Sequence, residues 1–181
     1  MLFDVYKNKT ILVTGDTGFK GSWLTIWLKL LGAEVYGFSK NIPTNPSNFG
    51  ASGLDKTSTT EFSDIKDLAK LKSLVMQVQP DYIFHLAAQA LVKESYISPT
   101  ETFLTNAMGS ANIIEASRIL NKKVNIIMIT SDKAYDNVEW KWGYRENDAI
   151  GGKDPYSASK GMAELVIRSY FESFIKKEES N

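Results

Sequence analysis

The run Thr10-Ile11-Leu12-Val13-Thr14-Gly15-Asp16-Thr17-Gly18-Phe19-Lys20-Gly21 decides the fold. A short apolar strand feeds directly into glycines spaced three apart. Ser22 to Leu31 then reads as a helix, apolar nearly all round and closed by Gly32 in the C-cap role. Gly15 makes the tight turn off the strand, Gly18 lets backbone approach a phosphate, and Gly21 lets the helix pack closely. The helix that starts near Gly18 turns unpaired amides and its positive dipole end toward an anion. Strand, glycine loop and helix in this order predict a dinucleotide pyrophosphate site.

Outward from that unit, short apolar runs alternate with helical segments, the pattern of a parallel sheet. Strands are expected at residues 34–38, 57–62, 81–86 and 124–129. Residues 39–56 carry prolines and glycines and read as a surface loop. Ser63-Asp64 is expected to start the helix that carries Leu68, Leu71, Leu74, Val75 and Val78. Ser98-Pro99-Thr100-Glu101 has the signature of a capped helix start, and that helix is expected to run to Leu120. Asp154-Pro155 opens a last helix, from Tyr156 to Ile175, before a charged tail at 176–181. The expected fold is α/β, a Rossmann-like doubly wound parallel sheet with helices on both faces. Residues 1–175 form its dinucleotide-binding domain. This pattern stops after a fifth strand and one helix, so the C-terminal substrate-binding part is expected to be absent.

Composition narrows the function. The 181 residues hold 21 Lys+Arg and 21 Asp+Glu, a formal net charge of zero, which gives no support for a nucleic-acid partner. There is no cysteine and one histidine, so neither a disulfide nor a metal cluster is expected. The first ten residues lack a signal-peptide core, and the longest apolar stretch is too short for a bilayer. A soluble cytoplasmic location without membrane contact is the expectation.

Tyr156 and Lys160 share one helix face at i and i+4. A free phenol, with a pKa of about 10, is a poor base at neutrality, and a nearby ammonium favours its ionised form. Thr130-Ser131-Asp132-Lys133 ends the fifth expected strand, at the sheet edge where open α/β sheets bind ligands. Phe38-Ser39-Lys40 ends the second strand without the acid that usually holds the ribose hydroxyls of NAD. Lys40 there either favours a 2′-phosphate or is simply solvated. Asp64 either accepts from an adenine amino group or caps a helix. His85 reads as a satisfied core residue, and Trp23 and Trp27 read as core packing. Trp140 and Trp142 either wall a substrate site or anchor their loop. Phe103, Leu104, Met108, Ile113 and Ile114, with Leu165, Val166, Tyr170 and Phe174, are expected mostly to face the sheet.

Together these residues resemble the extended short-chain dehydrogenase/reductase family, and more narrowly the nucleotide-sugar 4,6-dehydratases, in particular the group acting on CDP-glucose. The likeness is carried by residues 13–24, His85-Leu86-Ala87-Ala88-Gln89, Ser95-Tyr96, Glu101-Thr102-Phe103, Thr105-Asn106, residues 130–135, residues 139–146 and residues 154–160. It implies an NAD-dependent lyase, serving deoxysugar supply for surface polysaccharide. It also implies a homodimer through the 98–120 and 156–175 helices. Catalysis would rest on Ser131, Asp132, Lys133, Tyr156 and Lys160. The cofactor would be held by Gly15, Thr17, Gly18, Phe19, Lys20, Gly21, Asp64, Ile65, Leu86, Ala87, Ala88, Asn106, Thr130, Tyr156 and Lys160. In the resemblance Lys133 stands where related dTDP-glucose enzymes carry glutamate. It can act as a base only as the neutral amine, which needs burial or a neighbouring cation.

Overall fold

A computed structural model describes residues 2–176. Residues 177–181 of the expected charged tail lie outside them, while Lys176 ends a helix and pairs with Glu172 at 3.1 Å. Two compact units divide the chain: Met1–Ala87 with Glu115–Ile129, and Ala88–Ile114 with Thr130–Asn181.

The first unit holds the sheet. Strands β1 (Thr10–Thr14), β2 (Glu34–Ser39), β3 (Thr59–Phe62), β4 (Tyr82–His85) and β5 (Asn125–Met128) pair in parallel in the order β3-β2-β1-β4-β5. The sequence order reverses between β1 and β4, and the carboxyl ends of those two strands frame the crevice where such sheets bind ligands. β1 is an unbroken apolar run because it is central, with Ile11, Leu12 and Val13 fully buried. Ile11 and Val13 form one core with Leu28, Val35 and Phe84.

Helix α1 (Phe19–Leu30) turns Gly21, Ser22, Thr25 and Leu28 inward. Trp23 and Trp27, expected in the core, are instead 55% and 54% exposed. The helix meets its neighbours through small residues, which allow close approach, and Ser22 Oγ donates to the Gly18 carbonyl at 2.8 Å. The tryptophans therefore fall on the opposite face. The expected loop 39–56 contains two single-turn helices, α2 (Asn48–Ala51) and α3 (Leu54–Thr57), the first capped by Ser47. Asp67, not Ser63 or Asp64, caps α4 (Leu68–Val78), accepting from the Lys70 amide at 3.0 Å.

The helix expected from residue 98 is segmented. α5 (Val92–Ile97) precedes α6 (Pro99–Phe103), a π-helical turn spans Leu104–Met108, and α7 (Gly109–Ser117) follows. Ser98 makes no side-chain cap. The π turn inserts extra residues into the helical repeat and shifts its phase. Ile113 and Ile114 are accordingly buried, whereas Leu104 and Met108 are exposed, against a single expected apolar stripe. The last helix, α8 (Pro155–Tyr170), passes into a second π turn at Phe171–Ile175, and Leu165 and Phe174 are exposed. Among the described residues no helix is long and apolar enough to cross a membrane.

Candidate active site

The first unit builds an anion cradle from backbone. Gly15 has φ +76°, and a Cβ there would lie 2.8 Å from the Ala87 amide nitrogen. A Cβ on Gly21 would lie 2.0 Å from the Gly15 carbonyl oxygen. The loops after β1 and β4 are thus in backbone contact, with Leu86 and Ala87 against the glycine turn. Leu86 N donates to Thr14 O at 3.0 Å and Ala87 N to Thr14 Oγ1 at 3.3 Å. No side chain caps α1 at Gly18, so the first-turn amides of Phe19, Lys20 and Gly21 are left as donors for an anion. This donor set fits a dinucleotide pyrophosphate. Thr17 is held by its hydroxyl on the Asn41 carbonyl at 2.7 Å.

Beneath the loop lies a polar cluster that the motif alone did not reveal. Asp16 is 0% exposed; its Oδ1 accepts from Ser39 Oγ and its Oδ2 from Thr60 Oγ, both at 2.6 Å. Burial pushes the Asp16 carboxyl above its ordinary value, against the hydrogen bonds from Ser39, Thr60 and the loop backbone. Gly37 in mid-β2 makes the room, since a Cβ there would sit 2.0 Å from Asp16 Oδ2. An isolated glycine inside a strand is the sequence signal for such an approach. Asp64 forms ion pairs with Lys40 at 3.0 Å and Lys66 at 3.6 Å, with Ile65 buried beside it in sequence. Burial would raise the Asp64 carboxyl, but the Lys66 amide and the Lys40 ammonium outweigh it and hold the group below its ordinary value. His85 is buried, with Nδ1 2.7 Å from Thr14 Oγ1, so it braces the strand ends.

The second unit gathers the side-chain chemistry. Tyr156 and Lys160 are 9% and 6% exposed on α8, with Lys160 Nζ 6.0 Å from the Tyr156 ring centroid. Ser131 caps a 3₁₀ turn at Asp132–Ala134: its hydroxyl accepts from the Lys133 amide at 3.3 Å and donates to Asp132 Oδ1 at 3.0 Å. Asp132 and Lys133 are exposed and line an open cleft of about 270 Å³ with Asp154 and Ser157. Tyr135 and Tyr144 also line it, stacked with ring centroids 5.2 Å apart, and Trp140 packs on Tyr144 at 5.6 Å. Trp140 therefore supports an aromatic wall, while Trp142 is largely exposed.

Two further placements differ in kind from the expectation. Asn106, in the first π turn, spends both amide protons inside the protein, on the Gln89 carbonyl at 3.1 Å and Ser159 Oγ at 2.8 Å. Its Oδ1 accepts from the Gln89 amide at 2.8 Å, so it fixes the segment beginning at Ala88 rather than offering a donor. The Thr130 hydroxyl is likewise committed, donating to Glu164 Oε1. Glu164 stands one turn beyond Lys160 and was missed in the sequence, although its i+4 spacing from Lys160 marks it. Among the described residues no group of three metal-ligating side chains occurs.

Asp154 organises the mouth of the cleft. It caps α8, accepting from the Ser157 amide at 3.0 Å and Ser157 Oγ at 2.6 Å. Burial would raise this carboxyl. The bonds from Ser157 and the Tyr156 amide, with the Lys133 charge, prevail and hold it below its ordinary value. A Cβ on Gly152 would lie 2.3 Å from the Ala158 amide nitrogen, so glycine there lets the loop touch the helix start.

Comparison with known proteins agrees with this geometry. The family model described as GDP-mannose 4,6 dehydratase matches residues 12–176. CDP-glucose 4,6-dehydratase of Salmonella typhimurium is 46% identical over 169 residues, 93% of this chain and 47% of that protein. Among solved structures, an epimerase from Methanothermobacter thermautotrophicus superposes with a TM-score of 0.79 at 27% identity, over 95% of this chain and 50% of that one. UDP-glucose 4-epimerase from Brucella ovis, solved in complex with NAD, gives 0.78 at 26% identity, over 93% and 49%. The chain spans about half the length of the curated relatives it matches. By its family match, its glycine cradle and its Tyr156/Lys160 helix, the chain belongs to the GDP-mannose 4,6 dehydratase family of extended short-chain dehydrogenases/reductases.

Proposed function

We propose that this chain is the cofactor-binding part of an NAD-dependent nucleotide-sugar 4,6-dehydratase that converts CDP-glucose to CDP-4-keto-6-deoxyglucose. The observation that carries the reading is the Ser131-Asp132-Lys133 run. Asp132 and Lys133 of that run line a cleft with Asp154, the cap of α8, and α8 is the helix that carries Tyr156 and Lys160. The 46% identical dehydratase relative supports the same substrate.

Bound NAD would supply the hydride acceptor for sugar C4 and return that hydride to C6. Tyr156 takes the proton of the 4-hydroxyl, and Ser131 hydrogen-bonds the same oxygen. The 4-ketone acidifies the C5 proton. Lys133 can remove it only as the neutral amine, and since it is exposed here with its charge beside Asp154, this role requires bound substrate to cover the cleft and desolvate it. Asp132 gives a proton to the departing 6-hydroxyl, which leaves as water. Lys160 holds positive charge beside the Tyr156 ring and donates to the nicotinamide ribose. The first-turn amides of α1 hold the pyrophosphate, with Leu86 and Ala87 walling the crevice. As the hydride reaches C6, C5 regains its proton from Lys133, so sugar oxidation and reduction cancel and no external oxidant is consumed. Exposed Leu104, Met108, Met162 and Leu165 favour a homodimer through the two helical segments of the second unit.

The test is an assay on CDP-glucose, using a form of the protein extended to the length of its relatives. Appearance of the 4-keto-6-deoxy product supports the reading; a folded protein that never yields it refutes the substrate assignment. The epimerase likenesses favour a second reading, epimerisation or reduction on the same scaffold. In that case Asp132→Asn and Lys133→Ala leave activity intact, because the tyrosine alone suffices. Dinucleotide binding with no turnover at all would instead indicate a non-catalytic binding or dimerisation module.

A further inference from the structure

We propose that Asp16, acting through Ser39, makes the site prefer NAD over NADP. This rests on the dinucleotide reading above and concerns how the chain replaces an acid missing from its second strand.

A carboxylate at the end of the second strand, about 20 residues past the glycine loop, ordinarily accepts from the ribose 2′-hydroxyl. Ser39 occupies that place here and is itself buried. A neutral serine hydroxyl is ambiguous: it can accept from a ribose hydroxyl or donate to a phosphate. In this chain the ambiguity is removed. The single proton of Ser39 Oγ is given to Asp16 Oδ1 at 2.6 Å, and the same oxygen accepts from the Thr17 amide at 3.3 Å. What remains on Ser39 is acceptor capacity, polarised by the carboxylate behind it. A 2′-hydroxyl has the proton to satisfy it. A 2′-phosphate, with a second pKa of about 6, brings mostly further acceptors and negative charge.

The surroundings hold the arrangement in place. Thr60 Oγ occupies Asp16 Oδ2 at 2.6 Å, so neither carboxylate oxygen is left to turn away. Gly37 leaves no side chain to displace the carboxylate. Lys40 is the residue whose charge would invite a 2′-phosphate, and it is ion-paired with Asp64 at 3.0 Å. Asp16 is therefore a positioning residue. It touches no ligand itself and works by fixing which way one serine hydroxyl points.

The test is fluorescence titration of NAD and of NADP, separately, into the 181-residue chain and its Asp16→Asn and Ser39→Ala variants, with thermal melts of each. The wild type is expected to favour NAD. In Asp16→Asn the new side-chain amide can donate to Ser39 and release its proton, so the NAD/NADP affinity ratio should fall about tenfold, the scale of one hydrogen bond to a charged group. Ser39→Ala should lower the ratio similarly, and the double variant should add little, because both act on one contact. A purely structural role would lower both affinities and the melting temperature together while leaving the ratio unchanged. Variants that keep the wild-type ratio overturn the proposal. If Asp16→Asn does not fold, Ser39→Ala decides alone. A wild type that prefers NADP, or binds neither, overturns the NAD reading itself.

Discussion

Asp16 and Asp154 each accept a serine hydroxyl at 2.6 Å, yet the structure drives their acidities in opposite directions. Asp16, in the first unit, is sealed under the glycine loop, and burial outweighs everything that hydrogen-bonds to it. Asp154, in the second unit, stands at a cleft mouth, where two backbone amides, a serine hydroxyl and a lysine charge outweigh burial. The contrast extends to the regions around them. The first unit builds its cradle from backbone donors with a buried carboxylate set behind them. The second presents exposed side chains on a 3₁₀ turn beside a helix cap. On the proposed function, one region binds by shape and fixed dipoles and the other carries the reacting groups.

The largest effect that could break this division is kinetic. In a form extended to the length of its relatives, Tyr156→Phe should cut turnover by about 10²–10⁴-fold, the usual worth of a positioned acid/base group. Dinucleotide affinity, measured by titration, should stay within a few-fold. Equal losses of binding and turnover would show that the second unit is not merely supplying chemistry.

Gly21→Ala should do the reverse. Its Cβ would meet backbone at 2.0 Å, which cannot be relieved by a side-chain rotation. Overpacking of this kind costs about 1–3 kcal/mol, readable by urea denaturation, together with lost dinucleotide binding. A fully stable variant with unchanged affinity would contradict the packing of loop on loop.

Smaller, and sharper, is the pH dependence of the two aspartates. Asp154→Ala should lose about 1 kcal/mol near neutrality, as expected for a helix N-cap. Its native carboxyl is depressed, so that stability is present above the ordinary value of 3.8 and lost as pH falls through the folded value. The deficit should shrink on acidification through that window. Asp16 is raised, so its contribution is greatest below 3.8 and is lost as pH rises through the folded value. Asp16→Asn should therefore gain on the wild type as pH rises from 3.8 through that raised value, a window above the one for Asp154. Parallel rather than opposed profiles in thermal melts would refute the comparison. The smallest change is expected on α1, where Trp23→Gln or Trp27→Gln should shift stability by less than about 1 kcal/mol, since just over half of each side chain lies in solvent.

Much of this was legible because it is local. The strand, glycine loop and helix of residues 10–30 follow from φ requirements and short-range periodicity. The cap at Asp154 follows from an Asp-Pro pair that admits few alternatives. The burial of His85 follows from its place on a central strand. Less visible were features set by phase or by distant partners. Nothing local announces that residues 104–108 form a π turn, and that turn redistributes an apolar stripe read as continuous. Trp23 and Trp27 share a face as expected, but the inward face went to Ser22 and Thr25, because a close approach requires small residues. Asn106 carries an amide suited to a ligand, yet its protons are consumed by Gln89 and Ser159.

The amino-acid sequence alone determined the order of strands and helices, the anion-binding turn and the spacing of Tyr156 to Lys160, because backbone geometry and helical repeat depend on near neighbours. Only the tertiary structure decided that Asp16, Ser39 and Thr60 form one buried cluster. Their 23- and 44-residue separations are bridged by parallel strand pairing, and the desolvation that gives the carboxylate its character exists only once the sheet has closed over it.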